Sequence, residues 1–199
     1  DHNNLSGSLS SQLGRLTKLK TIALYGNAIT GQIPTHLGSL DSLAILSLGQ
    51  NQLSERIPTE IGYLTSLSKL SLNNNKLSKY IPSEIGNLSN LSWLSLCNNR
   101  LTGTIPSQVG NLIELKYFDL GLNKLTGTVP SEIVNIQSLQ EFNLVSNRLT
   151  GTIPLNFGTL VGLTMFDFGG NNMHRTIMSE LGQLEKLKYL ILFGLDLTG

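Results

Sequence analysis

The chain has 199 residues, a formal net charge of +1 and only 14% charged side chains, which argues against electrostatic capture of nucleic acid or an anionic membrane. Its apolar residues, 40% of the total, come in ones and twos, so no stretch approaches the roughly 18 needed to cross a bilayer and no direct membrane insertion is expected. The single cysteine, Cys97, excludes an internal disulfide framework and a multi-thiolate metal site. No cofactor is expected.

Leucine makes up about one residue in five, and the excess is periodic. Asparagine stands at 3, 27, 51, 75, 99, 123, 147 and 171, a step of 24 without insertion or deletion. All six prolines, Pro34, Pro58, Pro82, Pro106, Pro130 and Pro154, keep the same step, as do glycines 14, 38, 62, 86, 110, 158 and 182. In chain order, each ladder asparagine marks a turn inside a coil, where its amide can donate and accept at once to otherwise unpartnered backbone groups. A second short strand follows, with Gly7, Gly31, Gly103, Gly127 and Gly151 at one phase of it. These glycines are expected to lie against the core, so Glu55, Lys79 and Arg175 at that phase predict local irregularity.

Ile33-Pro34 through Leu37, Leu40 and Leu43 repeats its apolar residues every three positions, which suits a short 3-10 or irregular turn at the back of the coil. The L-x-L core, for instance Leu70-Ser71-Leu72, alternates with period two and reads as a short strand burying one face. Phe118, Phe142 and Phe166 share one phase of three coils and read as stacked core. Met178 in place of proline and Leu195 in place of asparagine mark erosion of the repeat, although Leu197-Thr198-Gly199 begins another unit. The predicted fold is an α/β solenoid, a right-handed curved arc with a parallel sheet on its concave face and 3-10 or irregular turns on its convex face. It forms one array over 1–199 of about eight repeats. The strands would span roughly 34 Å at sheet spacing.

Leu101-Thr102-Gly103-Thr104-Ile105-Pro106 and Leu125-Thr126-Gly127-Thr128-Val129-Pro130, each followed by its turn segment, resemble the leucine-rich repeats of the plant type. The resemblance covers essentially the whole chain. It implies the ligand-binding ectodomain of a receptor-like kinase or receptor-like protein, extracellular or at the cell surface, with a protein or peptide ligand and room for a co-receptor. A secreted inhibitor of cell-wall-degrading enzymes is the alternative it leaves open. Paired-cysteine caps, which the family leads one to expect, are missing, so a fragment of a longer chain is expected.

Outward positions of the strands form columns across the arc. One runs Thr21, Ile45, Lys69, Trp93, Tyr117, Glu141, Met165, Tyr189; the next carries Ser71, Ser95, Asp119, Asn143 and Asp167. Lys69, Trp93, Tyr117, Asp119, Glu141, Asn143 and Asp167 are the expected ligand-binding set, because exposed Trp and Tyr often dominate interfaces while flanking charges orient a partner. Aromatic residues also favour strands for cross-strand packing alone. Catalysis is not expected: His2, His36 and His174 occupy different phases. Asp119 and Asp167 should lie about 9.6 Å apart by strand spacing, on an open face that desolvates neither. Asn4, Asn87 and Asn90 begin glycosylation sequons. The outward pairs Thr102/Thr104, Thr126/Thr128 and Thr150/Thr152 resemble the threonine arrays of ice-binding solenoids, a third functional reading.

Overall fold

The computed structural model describes residues 3–173 and 179–194. Each repeat gives one short strand to an eight-stranded, all-parallel sheet: Thr21–Ala23, Ile45–Ser47, Lys69–Ser71, Trp93–Ser95, Tyr117–Asp119, Glu141–Asn143, Met165–Asp167 and Tyr189–Ile191. Strands neighbour one another in chain order, and the register advances one repeat per strand, Thr21 facing Ile45 and Tyr117 facing Glu141. Every twenty-fourth side chain therefore falls in one column. The middle residue of each of the first seven strands points inward, and Ile22, Leu46, Leu70, Leu94, Phe118, Phe142 and Phe166 are buried, whereas Leu190 in the last strand is exposed. Phe118 and Phe166 flank Phe142 in a stacked column, at centroid distances of 5.3 and 6.1 Å. Phe157 and Phe168 pack into the same cluster from other phases of the coil.

Beyond each strand the chain turns through a left-handed residue, Gln50, Asn74, Asn98, Leu122 or Ser146, into the ladder asparagine. Asn99 shows what that residue does. Its Nδ2 donates at 3.0 Å to Leu96 O of its own coil and to Leu72 O of the preceding one. Its Oδ1 accepts from Leu77 N at 3.0 Å. Asn51, Asn75, Asn123, Asn147 and Asn171 repeat the arrangement, so one amide per coil satisfies carbonyls that no strand partner reaches and ties two coils together.

The second layer of short strands runs Ser6–Ser8, Ala28–Gly31, Gln52–Glu55, Lys76–Lys79 and Arg100–Leu101, then Thr126–Gly127, Arg148–Gly151 and Asn172–Met173. Here the structure corrects the expectation about glycine. A Cβ on Gly7 would meet nothing within 4 Å, and on Gly31 only Ser8 Cβ at 3.4 Å. Glycine is favoured by its backbone, with φ between 75° at Gly127 and 87° at Gly7. Glu55 and Lys79 hold the same conformation, at φ 67° and 69°, and their strands pair in the regular register. The expected irregularity is absent at those two coils; the departure from glycine is absorbed as backbone strain of about 1–2 kcal/mol per residue. Arg175, Met178, Leu195 and Leu197–Gly199 lie outside the described residues.

The back of each coil is a five-residue 3-10 turn, such as Thr35–Ser39, Ser107–Asn111 and Ser131–Asn135, and no α-helix occurs among the described residues. Proline precedes the turn in extended conformation, as at Pro106 with φ −68° and ψ 137°, where its missing N–H costs nothing and its carbonyl accepts from Val109 N at 3.1 Å. The second glycine ladder serves close approach rather than φ. A Cβ on Gly62 would lie 2.5 Å from Glu84 O of the next coil, and one on Gly110 2.5 Å from Glu132 O. Val134 interrupts this ladder. Beside it a cleft of about 440 Å³ opens between two turns, lined by Ser131, Glu132, Val134, Asn135, Pro154 and Asn156. Asn156, one coil on from Glu132, has left helical geometry (φ −84°, ψ 15°), as expected where a real Cβ pushes against the next coil.

Candidate recognition site

Because adjacent strands are one repeat apart, Lys69, Trp93 and Tyr117 stand side by side on the exposed face of the sheet. The Trp93 and Tyr117 rings stack with centroids 3.7 Å apart and planes 6° from parallel. The Lys69 ammonium sits 4.9 Å from the centroid of the Trp93 ring, a cation–π contact. Both faces of the indole are thus covered by neighbours, and the exposure of 37% that Trp93 retains lets a partner meet it without rearranging the stack. The three side chains border an open depression of about 350 Å³ that also reaches Tyr25, Ser47, Asn73 and Cys97. Small residues create that space: a Cβ at Gly49 would strike the Tyr25 ring at 2.9 Å, so glycine there lets the ring lie across the next strand.

Polar residues along the adjoining column are tied to the scaffold. Asp119 Oδ1 accepts from Gly121 N at 3.0 Å, and its Oδ2 accepts from the Tyr117 hydroxyl at 3.2 Å. Asn143 Oδ1 accepts from Val145 N at 2.9 Å, and Asp167 Oδ1 from Gly169 N at 2.9 Å. Each carboxylate or amide thereby caps the strand end two residues on. The expectation that neither acid is desolvated fails, since Asp119 is 5% and Asp167 8% exposed. Burial raises the Asp167 pKa, with the Gly169 N–H opposing and Asp119 adding to the rise. Burial and the Asp119 charge likewise push the Tyr117 phenol upward.

The lining contains no activated nucleophile. The Cys97 thiol is pushed up to about 12, by burial first and then by the Asp119 charge, and its Sγ lies 3.7 Å from Ser95 Oγ. Among the described residues no group of three or more His, Cys, Asp or Glu side chains could hold a metal ion. His36 is exposed on a 3-10 turn, while His2 and His174 lie outside the described residues.

The structure therefore brings Lys69, Trp93 and Tyr117 into one contiguous stack on the outer face of the sheet, carries Asp119, Asn143 and Asp167 next to it as caps, and leaves Glu141 half-buried beside Tyr117. Tyr25, Asn73 and Cys97 complete the depression and were absent from the expected set. Their shared phase in the repeat was the available signal. Of the sequons, Asn4, Asn87 and Asn90 are all exposed, and the Asn90 amide donates to Thr65 O at 2.9 Å.

The Asp167 carboxylate gives a pH-dependent expectation. The folded chain holds the Asp167 proton more tightly than the unfolded chain, so this group's contribution to stability is complete below the ordinary value of 3.8 and is lost as pH rises through the raised folded value. Asp167→Asn keeps an acceptor for Gly169, as Asn143 does for Val145. Melting followed by circular dichroism should place the variant above the wild type at about pH 7 and level with it at about pH 3. A gap of the same size at both values would contradict this assignment.

Comparison with known proteins agrees with the geometry. Residues 89–149 match one family model described as leucine rich repeat, and residues 42–64 and 66–88 match a second of the same description. No curated protein matches the sequence. Among solved structures, the TDR receptor is similar at 34% identity and a TM-score of 0.97, over 99% of this chain and 34% of that one. The ectodomain of the Arabidopsis receptor kinase HAESA, in complex with an N-terminally extended IDA peptide hormone, is similar at 36% identity and 0.95, over 99% and 33%. A plant ice-binding protein is similar at 28% identity and 0.82, over 100% and 72%. The chain thus spans about a third of the length of the two receptors.

Proposed function

Since the chain belongs to the leucine-rich-repeat family, we propose that it is a non-enzymatic recognition module that binds a peptide or protein segment across Trp93 and Tyr117. The setting is the extracellular part of a receptor-like protein or receptor-like kinase. The observation that carries this reading is the stack of Lys69, Trp93 and Tyr117 over a depression edged by small residues. Stacking fixes both aromatic side chains before a ligand arrives, so little rotamer entropy remains to be lost on binding. Similarity to a receptor-kinase ectodomain solved with a peptide hormone supports the class of ligand and the extracellular setting.

The test starts from peptides enriched on the immobilised chain from a random displayed library. Trp93→Ala with Tyr117→Ala should weaken their capture at least tenfold, about 1.4 kcal/mol or more, while the thermal transition falls only slightly because both residues lie on the outer face of the sheet. Peptides that bind the double variant as tightly as the wild type would reject this surface.

Ice binding is the second reading, favoured by the similarity to a plant ice-binding protein and by the exposed threonines 102, 104, 126, 128, 150 and 152. Two features count against it. Thr126 and Thr150 donate their hydroxyls to Gly103 O and Gly127 O at 3.3 and 3.4 Å, and Glu55, Arg56, Lys79 and Tyr80 interrupt the array.

A further inference from the structure

The net charge of +1 conceals a local imbalance. Lys76, Arg100, Lys124 and Arg148 succeed one another at the step of 24, directly after the ladder asparagine, and all four are exposed. Backbone bonds stack this position coil on coil, Lys124 N on Leu101 O and Arg148 N on Leu125 O, both at 2.8 Å. The side chains follow: Lys76 Nζ donates at 3.1 Å to Gln52 Oε1, its counterpart one coil earlier. The flanking outward positions, Asn74, Asn98, Leu122 and Ser146 on one side and Ser78, Thr102, Thr126 and Thr150 on the other, contain no acid. Arg100, Lys124 and Arg148 have no side-chain hydrogen bond or ion pair among the described residues. Four like charges in file, uncompensated, repel one another and contribute nothing to the fold.

We propose that this stripe is a binding site for a linear anionic polysaccharide bearing one carboxylate or sulfate on each ring. Spacing decides between polymers. Consecutive cations recur once per coil, at about 4.8 Å, so the stripe runs roughly 14 Å from end to end. In an extended chain successive pyranose rings turn opposite sides outward, so the anions on one side recur every second ring, close to two coil spacings, and can meet every second cation of the stripe. Acidic residues on one side of an extended peptide recur at roughly 6.7 Å and fall out of step within the stripe. The flanking rows of hydroxyl and amide side chains match sugar hydroxyls, which an acidic peptide lacks. The stripe lies past the asparagine spine, off the sheet that carries Trp93, so it is independent of the peptide site and both can be filled together.

Binding of octasaccharides to the whole chain at low salt tests the proposal, with a polyuronate, a sulfate ester of equal length, a neutral glycan and an octaglutamate as probes. The uronate or the sulfate ester should bind, with affinity falling as salt rises, and the two arms distinguish which anion is preferred. Arg100→Gln with Lys124→Gln should weaken that binding at least tenfold, whereas Lys18→Gln with Lys20→Gln, exposed cations elsewhere, should leave it unchanged. No binding by the wild type, undiminished binding by the stripe variant, or equally tight binding of the neutral glycan would overturn the site. Octaglutamate bound as tightly as the charged glycans would assign the face to an acidic peptide instead, and overturn it as a glycan site.

Discussion

Asn123→Ala should lower stability by about 3 kcal/mol, because it leaves the buried Leu101 N–H without an acceptor, at a cost of roughly 1–3 kcal/mol, and takes one of two donors from Leu96 O, Leu120 O and Gly121 O, which keep Asn99, Asn147 and Asn98 N. Asn123 Nδ2 donates to Leu96 O and Leu120 O at 3.0 Å and to Gly121 O at 3.2 Å, and Leu101 N reaches its Oδ1 at 3.0 Å. All of these bonds are buried, and two of them cross to the preceding coil. Alanine fills none of the vacated positions. For a chain of this size the loss corresponds to a melting point lower by roughly 6–12 °C. Asn111→Ala is the comparison, since Asn111 is exposed at the end of a 3-10 turn; it should shift stability by no more than about 0.5 kcal/mol. Thermal melts of the two variants side by side separate the spine from asparagine in general, and equal shifts would refute the role given to the spine.

The second large effect concerns the two glycine ladders, which have different causes. A Cβ on Gly110 would meet Glu132 O at 2.5 Å, Glu132 Cβ at 2.6 Å and Glu132 C at 2.9 Å, all in the next coil. Gly110→Ala must therefore force two coils apart, and overpacking of this kind costs about 1–3 kcal/mol, at the upper end where the obstacle is backbone. Gly103→Ala meets only Tyr80 Cβ, at 3.5 Å, and suffers from its φ of 76° alone, a cost of about 1 kcal/mol. Chemical denaturation should rank Gly110→Ala well below Gly103→Ala in midpoint. The reverse order would show that the turns tolerate a methyl group and that the cleft beside Val134 has another origin.

These contrasts mark where the sequence was informative. Period and phase were legible because each ladder residue meets the same surroundings in every coil, so the parallel sheet, the 3-10 turns, the asparagine spine and the column holding Trp93 and Tyr117 could be read from spacing. The reason for each ladder was less legible. Spacing alone does not separate a glycine chosen for φ from one chosen for close approach, and Glu55 and Lys79 were for that reason expected to distort coils that they leave regular. Side-chain depth within a column was also hidden. Asp119 and Asp167 share the outward phase of Ser47, yet they fold back onto Gly121 N and Gly169 N and end nearly buried. Nor could the one-dimensional pattern say that the Lys69 ammonium rests on the Trp93 ring, which depends on rotamers that only neighbouring strands set.

Trp93 is the only tryptophan in the chain, so quenching of its fluorescence by acrylamide reports on the proposed contact surface without any label. With a library-selected peptide at saturation, the quenching constant should drop as the exposed part of the indole is covered. Quenching that stays the same while the peptide is bound would place recognition somewhere other than the Trp93–Tyr117 stack.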